Sequence, residues 1–148
     1  MLRMKMRKTD DYEKLVKFFV ENRLEFDGDE EVDTDIVECY EIVHGDKEYL
    51  VAGAVIARRE EKYIIDGIAV DEPYRRLKVG KIILDKVVER VKEMGGDSIY
   101  LVARAPEFFR KNGFQTIDPD DAPNFFECKQ CPQYQVDCHP EVMKLEIV

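Results

Sequence analysis

Four cations crowd one short stretch of an otherwise acidic chain. Arg75, Arg76, Lys78 and Lys81 lie between Asp71-Glu72-Pro73-Tyr74 and an apolar run beginning at Ile82, with Val79 and Gly80 among them. A loop entering a helix here presents main-chain N–H groups that lack internal acceptors, and the aligned peptide dipoles add about half a positive charge at the same point. Such a place suits phosphate oxygens, and Gly80 removes a side chain where a phosphate approaches. The plainer alternative is a strand-to-helix connection whose basic residues merely flank acidic neighbours. The stretch is not a P-loop, which needs Gly-Lys-Ser/Thr behind a longer glycine loop, nor the glycine-rich dinucleotide fingerprint.

A second cluster with chemistry lies near the C-terminus. Cys128 and Cys131 form Cys-x-x-Cys, and Cys138-His139 follows. Together they offer four soft or borderline ligands, enough for tetrahedral zinc. The gap between the pairs is tighter than zinc-finger norms, and adjacent Cys138 and His139 reach one ion together with difficulty. Free thiols or a disulfide are the competing readings. The acidic stretch Asp27–Asp35 reads either as a solvated loop and helix start or as a lip beside a site for a cationic substrate. It lacks the ligand spacing of an EF-hand loop.

The elements that must hold these residues alternate between strand and helix. Residues 3–7 read as a first strand, and a helix follows with Thr9 or Asp10 as its cap and Leu15, Phe18, Phe19 and Val20 as its apolar stripe. Strands are predicted over 39–44, 48–58 and 63–70, with His44 in a turn between the first two and a charged hairpin tip at 58–62. A long amphipathic helix starts near Gly80 and ends at Gly95-Gly96. A strand over 98–103, a short helix over 106–111, a strand near 114–117 and a last strand over 141–148 complete the chain.

Length and composition bound the possibilities. The chain has 148 residues and a net charge of −9, with 45% hydrophobic and 37% charged residues. That fits a single domain over 1–148, in which 118–148 is a cysteine-containing extension closing the sheet. No apolar run approaches the ~18 residues that span a bilayer, and the basic start, Met1 to Lys8, lacks a signal peptide's apolar core. A cytoplasmic protein is expected, with neither membrane nor nucleic acid as its partner. One serine, three threonines, three asparagines and four glutamines leave the polarity to charged groups, a composition typical of hot environments.

The segment Val70-Asp71-Glu72-Pro73-Tyr74-Arg75-Arg76-Leu77-Lys78-Val79-Gly80-Lys81-Ile82-Ile83-Leu84 resembles the acetyl-CoA-binding motif of the GNAT N-acetyltransferase superfamily, Arg/Gln-x-x-Gly-x-Gly/Ala after a strand ending in valine. Arg75 and Gly80 match; Lys78 stands at the first glycine. Ala105-Pro106-Glu107-Phe108-Phe109-Arg110-Lys111-Asn112-Gly113-Phe114 is similar to the family's Ala-x-x-Phe-Tyr-x-Lys-x-Gly-Phe segment. The likeness covers roughly residues 3–117.

The resemblance implies an α/β fold, a mixed central sheet with helices on both faces, and direct acetyl transfer from acetyl-CoA to a primary amine. It implies that the strand ending at Ile68-Ala69-Val70 splays from Leu101-Val102-Ala103 and that the pantetheine arm lies in the gap, the thioester carbonyl bonded by free amides near Ala69 and Val70. Because the amine must lose a proton, Asp66, a lone carboxylate in an apolar strand, is the candidate base; the competing role is a turn cap or an arginine partner. Phe109, a cofactor contact in this reading, replaces the tyrosine that gives the departing thiolate its proton, so water, the amine's own proton or another phenol such as Tyr134 serves. The run Leu101 to Phe114 looks more narrowly like N-acetylglutamate-forming acetyltransferases. Arg104 there is suited to bind a substrate carboxylate, with an ordinary surface ion pair as the competing role, and some archaeal relatives share a Cys-rich ending. The implied partner is a small glutamate-like amine, with a protein or polyamine amine second and a homodimer among the possible assemblies. A non-catalytic CoA- or zinc-binding regulatory module is the reading from another class.

Overall fold

The computed structural model describes residues 4–21, 35–59, 61–103, 106–118 and 141–147. Seven strands and three helices run in the order β1 (Met4–Thr9), α1 (Tyr12–Glu21), β2 (Asp35–His44), β3 (Tyr49–Arg59), β4 (Lys62–Val70), α2 (Val79–Glu93), β5 (Ser98–Ala103), α3 (Pro106–Lys111), β6 (Gln115–Thr116) and β7 (Glu141–Glu146). One sheet takes the order β1-β2-β3-β4-β5-β7-β6. All neighbours are antiparallel except β4 and β5, which run parallel because α2 crosses between them.

Period-two alternation sends successive residues to opposite faces, and each face is covered by helix. On one face, Leu15, Phe18 and Phe19 of α1 pack on Cys39 and Val55. On the other, Val79, Ile83, Leu84, Val87 and Val91 of α2 cover Ala52, Ala54, Ile56 and Ile65, and Phe109 joins the same core from α3. This is the mixed sheet with helices on both faces that the sequence led one to expect.

Three local features differ from the sequence reading. Strand β1 continues to Thr9, so α1 starts later and its cap is Asp11, whose Oδ1 accepts the Lys14 amide at 3.1 Å. Thr9 Oγ1 instead accepts the Asp11 amide at 3.2 Å. A 3-10 turn over Glu72–Leu77 occupies the stretch read as irregular loop. Strand β2 begins at Asp35 rather than 39, and Glu38 in the added part is buried.

Glu38 and Glu41 are both buried, one on each face of β2. Glu38 accepts two bonds from Arg90 of α2, at 2.8 and 3.0 Å, and one from the Tyr40 hydroxyl at 3.0 Å. Glu41 meets Lys14 of α1 at 2.6 Å and Arg7 of β1 at 2.7 Å. Each helix is thus pinned to β2 by its own ion pair. Burial works to raise the Glu41 carboxyl, but its two cations outweigh burial and hold it below the usual range. The Arg90 guanidinium holds Glu38 at about 2.

A prediction follows for acid stability. Because the folded Glu38 value lies below the ordinary 4.5, its stabilisation is complete above 4.5 and is withdrawn as pH falls toward 2. Denaturant unfolding followed by circular dichroism will show the wild type losing more stability between pH 5 and 3 than Arg90→Gln. Parallel losses would mean the pair does not carry the acid response.

Candidate active site

The site begins with an irregularity in β4. Val55 pairs with Gly67 and Ile56 with Ile65, so Asp66 is an extra residue bulged out of the ladder. A bulge bends its strand and sharpens the local twist. Beyond it β4 leaves β5: the two strands share only the register pair Ile64↔Tyr100. Past that pair the β5-facing edge of β4 has no strand partner among the described residues, although β3 follows the other edge to Val70. Half-buried Ile68, Ala69 and Val70 line this fork.

The bulge also aims a carboxylate. It turns Asp66 and Gly67 to the same face, toward α1: a Cβ on Gly67 would meet the Phe19 ring, and the Tyr12 hydroxyl donates to Asp66 Oδ2 at 3.2 Å. Asp66 is half-buried there, a strand carboxylate bonded by a phenol rather than a turn cap. Cys39 lies on the same face of β2. Burial above all, and then the charges of Asp66 and Asp10, push its thiol up to about 11, so it stays protonated at neutral pH.

At the far end of the fork, the chain passes through the 3-10 turn into α2. The Asp71 amide bonds the Val51 carbonyl at 2.8 Å, and Arg75 Nε bonds the Val70 carbonyl at 3.0 Å. The β2–β3 hairpin braces this turn: Tyr49 donates to Asp71 at 2.7 Å, and His44 Nδ1 lies 3.0 Å from the Tyr74 hydroxyl. Lys78 then adopts left-handed backbone, φ 60° and ψ 20°, the conformation for which glycine is the ordinary residue.

Helix α2 opens without a side-chain cap and without an acidic residue in its first turn. Its first main-chain bond runs from the Ile82 amide to the Lys78 carbonyl at 3.3 Å. The amides of Val79, Gly80 and Lys81 therefore have no acceptor among the described residues, and the helix dipole adds its positive end. Exposed Arg75 and Lys78 stand beside them, while Lys81 pairs with Asp85 at 3.0 Å. The Arg76 side chain is outside the described residues. This arrangement can hold a diphosphate on amides and cations, with an extended arm running down the fork.

Two aromatic placements differ from the sequence reading. The missing side chain of Gly80 faces the Phe108 ring at 3.3 Å and Val70 at 3.5 Å. The glycine thus lets the first turn of α2 pack on α3, rather than clearing room for phosphate in that direction. Phe109, named from sequence as a cofactor contact, is turned into the core, edge-on to Phe108 at 5.1 Å and to Phe114 at 5.6 Å. The half-buried ring nearest the fork is that of Phe108.

Arg104, Tyr134, the 27–34 part of the acidic stretch and the candidate metal ligands Cys128, Cys131, Cys138 and His139 lie outside the described residues. Among the described residues no three acidic, cysteine or histidine side chains gather in a way that could hold a metal ion, and no helix is long and apolar enough to cross a membrane. Tyr12 is the site residue that sequence reasoning missed. It lies 54 positions from Asp66, and nothing in the local pattern of a first helical turn signals such a pairing.

Solved structures show the same architecture. A GNAT-family acetyltransferase from Staphylococcus aureus Mu50 superposes with a TM-score of 0.75 at 21% identity, covering 99% of this chain and 100% of that one. An N-acetylglutamate synthase from Neisseria gonorrhoeae gives 0.68 at 14%, covering 99% of this chain and 35% of that one. The ribosomal-protein-S18-alanine N-acetyltransferase of Escherichia coli gives 0.61 at 16%, covering 99% and 94%. At these identities the likeness establishes the fold. Among proteins of curated function none matches significantly. The family model for acetyltransferases of the GNAT family matches residues 9–114. That span takes in the bulged strand, the uncapped helix and the α3 segment together, and on that ground the chain belongs to the GNAT acetyltransferase family, whose members are acyl-CoA N-acetyltransferases.

Proposed function

We propose that this acetyltransferase acts on the primary amine of a small amino-acid-like substrate, glutamate-like in class. The observation that carries the site is the fork between β4 and β5, ending at a helix N-terminus whose first amides have no acceptor among the described residues. In this reading the amides of Val79, Gly80 and Lys81, with Arg75, Arg76 and Lys78, hold the diphosphate of acetyl-CoA. Ile68, Ala69 and Val70 offer their open edge to the pantetheine arm, and Phe108, with Phe109 buttressing it from the core, closes the side toward α3. Bound there, acetyl-CoA supplies an activated acetyl group as a thioester.

Asp66 serves as the base. The proton of the attacking amine passes to its carboxylate as the C–N bond forms, the C–S bond breaks and CoA leaves as thiolate. Phe109 has no hydroxyl, so the thiolate is protonated by water or by the amine's own proton passed on from Asp66.

The substrate class is supported by two things. The Leu101–Phe114 run resembles N-acetylglutamate-forming enzymes, with Arg104 suited to a carboxylate. The Neisseria gonorrhoeae structure that shares this fold holds coenzyme A and N-acetylglutamate. The acidic stretch 27–35 favours a cationic amine as the second reading.

Thiol release from acetyl-CoA across glutamate, other amino acids, spermidine and a lysine peptide tests the assignment. Release greatest with glutamate-like amines is the expected result. Preference for spermidine or peptide overturns the substrate class. CoA-dependent thermal stabilisation without release for any amine points instead to a binding module.

A further inference from the structure

We propose that Tyr12 is a positioning residue for the reaction: its phenol holds the Asp66 carboxylate ionised and correctly oriented toward the acceptor amine. The inference rests on the reading of Asp66 as base, and it assigns to α1 a part in the chemistry as well as in the core.

The geometry is specific. Asp66 is the one residue of β4 that the ladder with β3 skips, so its backbone is the least constrained by strand pairing. A carboxylate on such a residue needs an external anchor to keep one orientation. The Tyr12 hydroxyl, 3.2 Å from Oδ2, is such an anchor. Tyr12 itself is held firmly: it is the first residue of α1, directly after the Asp11 cap, and it packs against the Leu15, Phe18, Phe19, Cys39 and Val55 cluster.

The chemistry has a definite sign. A phenol can only donate to an ionised carboxylate, so the bond favours the charged form and opposes the upward push of partial burial. Groups on two neighbouring elements face Asp66. From α1 comes Tyr12; from β2 comes Cys39, a neutral thiol at working pH. Asp10, just before α1, is felt at Cys39 and adds negative charge on this side. The phenol's bond to Oδ2 works against both burial and the Asp10 charge.

The test is the pH profile of kcat/KM for Tyr12→Phe and Asp66→Asn beside the wild type. Tyr12→Phe keeps the ring and its packing, so only the hydroxyl is lost. The acid-side break, where the base ionises, is expected to move up by about half a unit to one unit in Tyr12→Phe. Activity then falls roughly three- to tenfold below the break and recovers above it. Asp66→Asn should lose the break altogether, while the separate break set by the amine's own ionisation stays in place in both variants. If Asp66→Asn loses the break but Tyr12→Phe leaves it unmoved, Tyr12 is merely a packing residue and the proposal falls while the base assignment stands. If Asp66→Asn keeps the break, the base assignment itself fails and takes the role of Tyr12 with it.

Discussion

Gly80→Asp will bind CoA on the order of a hundredfold more weakly than the wild type and will still fold. The residue sits in the first turn of α2, which has no side-chain cap among the described residues and no acidic residue of its own. An aspartate there is a good helix-starting residue, worth about 0.3–1 kcal/mol through the dipole, and it also removes the conformational freedom of glycine. Sterically it is accommodated: the new Cβ would meet the Phe108 ring at 3.3 Å and Val70 at 3.5 Å, which a small ring shift absorbs. The carboxylate, however, takes the very amides proposed for the diphosphate and adds a like charge beside it. At a separation of about 5 Å and an effective dielectric near 20, one such pair repels by about 3 kcal/mol, roughly two orders of magnitude in Kd. Gly80→Asn separates charge from bulk, because it has the same size without the anion and should lose far less. Calorimetric titration with CoA and a thermal melt of both variants check this. Near-equal CoA affinity for Asp and wild type would remove the diphosphate from this turn.

The sequence made some of this legible and concealed the rest, and the division is physical. Strand β5 over 98–103 and helix α3 over 106–111 stand where periodicity, proline and glycine put them. The long helix was equally plain, since its apolar stripe is strong and Gly95 closes it in left-handed backbone. Local chemistry decides such elements. What escaped is non-local. Glu38 and Glu41 look like solvent residues in any window of β2, and it is chiefly Arg90, 52 positions away in α2, that makes burial of Glu38 tolerable. The bulge at Asp66 depends on register with β3, which no single strand encodes. Phe108 and Phe109 are indistinguishable by type, and helix phase alone sends one to the core and the other to Gly80. Lys78 shows the same limit from the other side. Its left-handed backbone marks the family's first glycine position, yet the residue type alone suggested only a cation.

Gly67→Ala will cost about 1–3 kcal/mol and Gly67→Val more, and the damage will reach the carboxylate next to it. A Cβ at position 67 would run into Phe19 Cε2 and stand 2.8 Å from Cδ2, so something must move. The ring has nowhere to go, because Phe19 is fully buried among Leu15, Phe18 and Val55. The gain from stiffening the unfolded chain, about 0.4–1 kcal/mol for Gly→Ala, is smaller than the clash and loses to it. For a domain of this size the melting temperature should fall by roughly 3–10 °C. Relief comes by moving α1 outward, and α1 carries Tyr12. Its bond to Asp66 is already 3.2 Å long, so a displacement of about half an ångström breaks it. Gly67→Ala should therefore shift the acid-side break of kcat/KM upward, in the direction expected for Tyr12→Phe, on top of its thermal loss. Phe19→Leu, which withdraws the far ring atoms, should soften both effects in the double variant, since contacting residues are energetically coupled. Strictly additive losses in the double variant would mean that the clash is relieved within the strand and that α1 stays in place.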